Sequence, residues 1–241
     1  MTTGDMQGRA FIAGATGYTG SHLVRILRER GWEVHAHIRP DSSSFVRWKD
    51  EWEAVGAHLD ATPWEESAIT QTLRRIAPTH VFAMLGTTKA RARAASGAVA
   101  DTYEAVDYGL SAMLLRATRA AEPAARYVYL SSLGVRPGTR NAYIQARARL
   151  EEELRESGLD YVIVRPALIT GDDRPENRGV EKISKPLIGG ALALVGVFSE
   201  ATKRTLMTRD GRLLAEGCAD AAELAPSGAE LDGNALDSLR G

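Results

Sequence analysis

At 241 residues, with a formal net charge of −1 and 25% charged side chains, the chain has the length for one well-buried α/β domain. It has no basic excess of the kind that draws nucleic acid or an anionic membrane. The single Cys218 excludes an internal disulfide framework, no metal is needed for stability, and the polar segment 1–8 lacks the apolar core of a signal peptide, so a cytoplasmic location is expected.

The first predicted element is a strand at 10–13. It runs into Gly14-Ala15-Thr16-Gly17-Tyr18-Thr19-Gly20, then a helix carrying Leu23, Val24, Ile26 and Leu27 that Gly31 stops, then a second strand at 34–38. This is a nucleotide-binding βαβ unit. Glycines spaced G-x-x-G-x-x-G let the backbone turn tightly and approach a pyrophosphate, and the helix tip near Tyr18 points N–H groups and the positive end of its dipole at it. Strand-like runs follow at 57–60, 80–85, 127–130 and 161–164. Helical spacing appears at 65–76, 102–121 and 143–156, with Gly158 as the last stop. Short apolar strands alternating with helices predict an α/β fold, a doubly wound parallel sheet of Rossmann-like type spanning 1–241 as one domain. Beyond Pro166 the pattern loosens, and 167–205 is expected to form a small substrate-side cap. Within it, the apolar run 187–198 is too short to cross a bilayer and is expected to be a buried or cleft-lining helix. A membrane-dipping segment is the competing reading, but the basic clusters it would need are missing.

At the end of the second strand an acidic residue would bind a free ribose 2′-hydroxyl and an arginine a 2′-phosphate. Arg39 stands there, followed by Ser42, Ser43 and Ser44, which favours NADP(H) over NAD(H). Two alternatives stay open: Arg39 as an ordinary solvated arginine, and Asp41 folding back to a ribose hydroxyl. Asp60, after the third strand, is placed either to approach the adenine edge or to cap the next turn.

Leu85, Gly86 and Thr87 close the fourth strand at the carboxyl edge of the sheet, where ligands bind in open α/β folds. Ser131 and Ser132 end the fifth, and Tyr143 begins the next helix 11 residues beyond Ser132. A phenol that passes a proton to or from a carbonyl oxygen, beside a hydroxyl that polarises it, is what hydride transfer requires.

With these residues assembled, the chain resembles the short-chain dehydrogenase/reductases, in the atypical branch that carries G-x-x-G-x-x-G. It is most similar to the Tat-interacting-protein-like oxidoreductases, through Leu85-Gly86-Thr87-Thr88-Lys89, Val106-Asp107-x-x-Leu110, Leu130-Ser131-Ser132-x-Gly134, Arg165-Pro166, Asp173-Arg174-x-Glu176-x-Arg178 and Leu236-Asp237-Ser238-Leu239. The resemblance implies an NADP(H)-binding domain with a Ser-Tyr-Lys catalytic set. On that reading Ser132 polarises the substrate oxygen and Tyr143 is the general acid/base. Gly14, Thr16, Gly17, Tyr18, Thr19 and Gly20 hold the pyrophosphate, Arg39 meets the 2′-phosphate, and Leu85, Gly86, Thr87, Pro166, Ile169 and Arg178 line the rest of the channel. One departure matters. The family pattern is Tyr-x-x-x-Lys, and here Arg147 follows Tyr143, keeping the charge but carrying a bulkier planar head.

Two functions follow. One is an NADP(H)-dependent oxidoreductase acting on a small carbonyl or alcohol, with Arg147 as surrogate ribose clamp. The other is an NADP(H)-binding sensor or regulatory protein with weak catalysis. The Ala and Arg faces of helices 102–121 and 143–156 are as compatible with a homodimer as with a monomer.

Overall fold

Alternation along the first strand sets the layering. Ala10 and Ile12 are buried on one face of the sheet, Phe11 and Ala13 on the other, so both faces need a helical cover. The computed structural model describes residues 7–86, 103–122, 125–167 and 210–239. Strands β1 (Arg9–Ala13), β2 (Glu33–His37), β3 (His58–Asp60), β4 (His80–Ala83), β5 (Arg126–Leu130), β6 (Tyr161–Val164) and β7 (Ala229–Leu231) form one seven-stranded sheet. All its pairings are parallel and its order is β3-β2-β1-β4-β5-β6-β7. The chain thus starts mid-sheet, runs out to β3, and returns beside β1 to build the other half.

Helices α1 (Tyr18–Glu29) and α6 (Gly211–Leu224) lie together over one face, where Leu23, Leu27, Trp32, Phe82, Val128, Val162 and Leu214 form the core. Cys218 sits in this layer, its thiol pushed up to about 12 by burial, which makes it inert at neutral pH. Helices α3 (Glu66–Ile76), α4 (Ser111–Ala120) and α5 (Ala142–Glu156) cover the other face through Ile69, Leu73, Leu114, Leu150 and Leu154. Gly31, at φ +82°, ends α1 in a Schellman arrangement: Trp32 N–H bonds Leu27 O at 2.9 Å and Gly31 N–H bonds Arg28 O at 3.0 Å.

Three features differ from the sequence expectation. A helix α2 (Phe45–Ala54) follows the Arg39 turn, pinned by fully buried Trp52 stacked on Trp48 at 4.8 Å. The run expected as one helix at 102–121 opens instead with a π-helical segment, Tyr103–Leu110, before α4. The loosening beyond Pro166 is not carried to the end, because α6, β7 and a short α7 (Gly233–Ser238) rejoin the sheet. Alanines and glycines let α6 lie close to its neighbours, Gly211 against the Tyr18 ring and Gly217 against Leu236, and such small residues give a weak periodic signal. The expected cap at 167–205, apart from Ala167, and the apolar run 187–198 lie outside the described residues. Among the described residues no helix is long and apolar enough to cross a membrane.

Candidate coenzyme and active site

The order of the strands places a topological switch point between β1 and β4, where the loops leaving their carboxyl ends diverge. The glycine turn after β1 lies there, against the end of β4. A β-carbon on Gly14, whose φ is +82°, would come within 2.5 Å of Met84 O, and one on Gly20 within 2.2 Å of Gly14 O. Gly17 N–H closes the turn on Gly14 O at 2.9 Å and caps α1 through an extended backbone. Among the described residues no side chain caps the helix, and no acidic residue occupies its first turn. A positively polarised tip framed by glycines, capped by backbone alone, fits the pyrophosphate of a dinucleotide. Thr16 and Tyr18 are half-buried in this turn, while Thr19 is buried.

Beyond the end of β2, Arg39 is exposed, and among the described residues its side chain makes only a loose 3.7 Å ion pair with Asp41. Its guanidinium is thus open to an anion. Asp60 ends β3 with its carboxylate already engaged, accepting Thr62 N–H at 3.1 Å and facing Arg75 at 3.7 Å. Of the two roles open to it, the turn-capping one is visible.

At the other end, four elements converge. Asn141 caps α5 by accepting Ile144 N–H, which sets Tyr143 in the first turn and Arg147 one turn later. Arg147 is buried. Its Nη2 donates to Asp107 Oδ1 at 2.8 Å, its Nη1 to Leu130 O at 2.5 Å, and its guanidinium lies 4.8 Å from the centre of the Tyr143 ring. Gly86 leaves the room this needs: a β-carbon there would stand 2.9 Å from Arg147 Nη2. Burial alone would lower the pKa of Arg147, yet Tyr129, Tyr143 and Asp107 around it hold it above the ordinary value, so it remains a fixed cation. Its Nε is buried with no hydrogen-bond partner among the described residues.

Ser132 lies at the end of β5, half-buried, with only a long 3.4 Å bond to Leu133 O. Leu133 N–H is in turn held by Pro166 O at 2.8 Å, so the β6 exit fixes the serine loop. Ser131, by contrast, turns inward and donates to Glu151 at 2.6 Å. Leu85 and Gly86 follow β4 as expected, whereas Thr87, Ile169 and Arg178 lie outside the described residues. The structure therefore brings Gly86, Tyr143 and Arg147 together at the carboxyl edge. The partners of Arg147, Asp107 and the Leu130 carbonyl, were not anticipated. Their signal in the sequence is faint, because Asp107 shares its segment with Glu104 and Arg147 stands among Gln145, Arg149 and Glu151 on α5.

These features, a polarised helix tip at the switch point and a hydroxyl and a phenol at the far end, coincide with what a model of known sequences describes as NAD(P)H-binding, matching residues 14–193. The chain belongs to this NAD(P)H-binding family. Within reach of it, a ceramide reductase of Caulobacter vibrioides is 31% identical over 183 residues, 75% of this chain and 52% of that one. The chain thus spans about half the length of that relative. A mitochondrial protein fmp52 of Aspergillus fumigatus is 30% identical over 183 residues, 74% of this chain and 73% of that one. The fold is shared with a Bacillus halodurans protein described as an NAD-dependent epimerase/dehydratase, at a TM-score of 0.68 and 20% identity over 97% of this chain and 99% of that one. It is shared too with the UDP-glucose 4-epimerase of Brucella ovis in complex with NAD, at 0.62 and 16% identity over 92% and 76%.

Proposed function

We propose that this protein is an NADP(H)-dependent oxidoreductase of the atypical short-chain dehydrogenase/reductase type, near the Tat-interacting-protein-like branch, acting on a carbonyl or alcohol. The observation that carries it is the glycine-framed tip of α1 at the switch point, with Tyr143 standing beside a buried, permanent cation at the same carboxyl edge of the sheet. The α1 tip would hold the pyrophosphate, Arg39 the 2′-phosphate, and Leu85, Gly86 and Pro166 the far half. Hydride for the reacting carbon is what a nicotinamide coenzyme supplies when bound. Ser132 donates a hydrogen bond to the substrate oxygen and polarises it, and the Tyr143 hydroxyl gives the oxygen its proton, or takes it back in the reverse direction. Arg147 keeps positive charge beside that phenol in every step.

One observation favours a second reading. Both terminal nitrogens of Arg147 are engaged by the protein, on Asp107 and on Leu130 O, whereas a ribose clamp needs donors facing the coenzyme. Such a site would bind NADP(H) well and turn over slowly, as a sensor or regulatory protein does.

Titration of intrinsic tryptophan fluorescence with NADPH and NADH tests the cofactor choice. NADPH should bind more tightly, and Arg39→Ala should cut the preference by roughly tenfold, about 1.4 kcal/mol. An unchanged preference overturns the assignment of Arg39. Following NADPH oxidation over aldehydes, ketones and quinones, with long-chain apolar carbonyls added because one relative is a ceramide reductase, tests the reaction. Tyr143→Phe should lower turnover by about 10²-fold or more while binding persists. Binding in wild type, Arg147→Lys and Tyr143→Phe alike, with no compound consumed, would leave the sensor reading standing. The cytoplasmic location stays a proposal against the mitochondrial label of the fungal relatives, and fractionation of the host cell decides it. A single domain over 1–241 and a small-molecule substrate, with neither nucleic acid nor membrane as partner, complete the proposal. For a homodimer, sedimentation is the test.

A further inference from the structure

We propose that Tyr103, at the start of the π-helical segment, is a positioning residue for Tyr143, and that this segment braces the reacting phenol from the side. The inference rests on the reading of Tyr143 given above.

Tyr143 and Arg147 stand one turn apart on α5. Opposite them, the π-helical segment presents Tyr103 and Asp107 at the same interval, so the two helices meet as paired rungs. The upper rung is a ring contact, Tyr103 edge-on to Tyr143 with centroids 5.4 Å apart and planes at 64°. The lower rung is the buried ion pair, Asp107 with Arg147 at 2.8 Å. The rungs are cross-linked, because the same guanidinium lies over the Tyr143 ring at 4.8 Å. Ala142 and Ala146 pack beside Tyr103, and their small side chains make the space its ring fills between the helices. Outside this pair, Glu104 meets Arg149 at 2.5 Å and Tyr108 donates to Glu153, which tie the same two elements again.

Burial follows the division of labour. Tyr103 is 7% exposed, whereas Tyr143 is only half-buried. One ring is a buried wall, and the other leans on it while remaining partly exposed. A π-helical stretch is uncommon and is frequently found at functional sites. Here it supplies both partners of the phenol-cation pair from one element.

The experiment compares Tyr103→Leu, Tyr103→Phe, Tyr143→Phe and the double variant Tyr103→Leu/Tyr143→Phe in the full chain. Tyr103→Leu should lower kcat by roughly tenfold to a hundredfold with the KM for NADPH nearly unchanged, since small misplacements of a reacting group cost that much. Tyr103→Phe keeps the ring and should stay within about twofold of wild type on the same principle. In the Tyr143→Phe background, Tyr103→Leu should cost nothing further, because its effect travels through the missing hydroxyl. Fully additive losses overturn the proposal, and so does a Tyr103→Phe variant as damaged as Tyr103→Leu. A second readout needs no turnover: in protein labelled with 3-fluorotyrosine, the ¹⁹F resonance lost in Tyr143→Phe reports that ring. It should be single and sharp in wild type and broadened or split in Tyr103→Leu, or in Tyr103→Met should the leucine variant not fold. An unmoved, sharp resonance overturns the proposal, whereas a perturbed one in a protein that consumes no substrate sinks the oxidoreductase reading alone.

Discussion

Ala77 ends α3 with φ 48° and ψ 56°, the only non-glycine among the described residues in the left-handed region, and Pro78 follows it. A β-carbon in that conformation costs about 1–2 kcal/mol, and a following proline adds its own restriction. Its N–H nonetheless closes the helix on Leu73 O at 2.7 Å, as a C-terminal cap requires. Gly31 performs the equivalent duty after α1 without that cost. Ala77→Gly should therefore stabilise the protein by about 0.5–1 kcal/mol, the strain relieved less the extra chain entropy of glycine. Urea denaturation measures it, and a loss of stability would mean that the surrounding turn already absorbs the strain.

Helix α5 is the element that joins fold to site, and its buried carboxylate shows how. Glu151, 1% exposed, accepts from Ser131 at 2.6 Å and from Arg165 and Arg155, which also meet Glu230 on β7. Burial by itself would raise its pKa, but the bonds from Arg165 and Ser131 and the charges of Arg165 and Arg155 hold it below the usual carboxylate range. One carboxylate thus fastens α5 to the exits of β5 and β6, one turn beyond Arg147. Glu151→Ala leaves Arg165 and Arg155 with Glu230 alone among the described residues and Ser131 without its acceptor, and should cost about 1–3 kcal/mol in chemical denaturation, whereas Glu151→Gln, which keeps hydrogen bonds, should cost less. Little of this network is legible in the sequence, because its members stand 14, 20 and 75 positions apart and only the strand order joins them. The same holds for Arg147, whose partner Asp107 is 40 residues away. What could be read was local: the glycine tip of α1, the alternation of strands with helices, the start of α5. Those depend on neighbours within a turn or a strand. Helix α2 carries a local signal only in Trp48 and Trp52, one turn apart, and β7 is only three residues with an exposed glutamate at its centre.

At the scale of the whole molecule, acid should act first through histidines. His37 is buried between Phe11 and Trp64 with its Nε2 on Thr62 O, and His80 lies against Trp32 and Phe82 with its Nε2 near Ala222 O. His35 stacks on His58 at 4.9 Å, so a charge on one ring is disfavoured by the other. Burial is the leading cause in all three, and it lowers each pKa from the ordinary 6.5 in spite of neighbouring acceptors and carboxylates. The unfolded chain therefore binds these protons at a pH where the native state refuses them. Their contribution to stability is complete above about pH 6.5 and is lost as pH falls through the depressed folded values. The carboxylates held low, Glu33, Glu151 and Asp160, act in the same direction but in a separate window, below their ordinary values of 4.5 and 3.8. Denaturation free energy should thus be near its plateau at about pH 7.5 and decline toward about pH 5, by up to about 1.4 kcal/mol per pH unit for each histidine that still binds fewer protons folded than unfolded. His37→Gln and His80→Gln should each flatten that decline by one residue's share. A flat profile between about pH 7.5 and 5.5 would mean that these rings take up their protons without unfolding, and that water reaches the sheet faces where Phe11, Trp32 and Phe82 are packed.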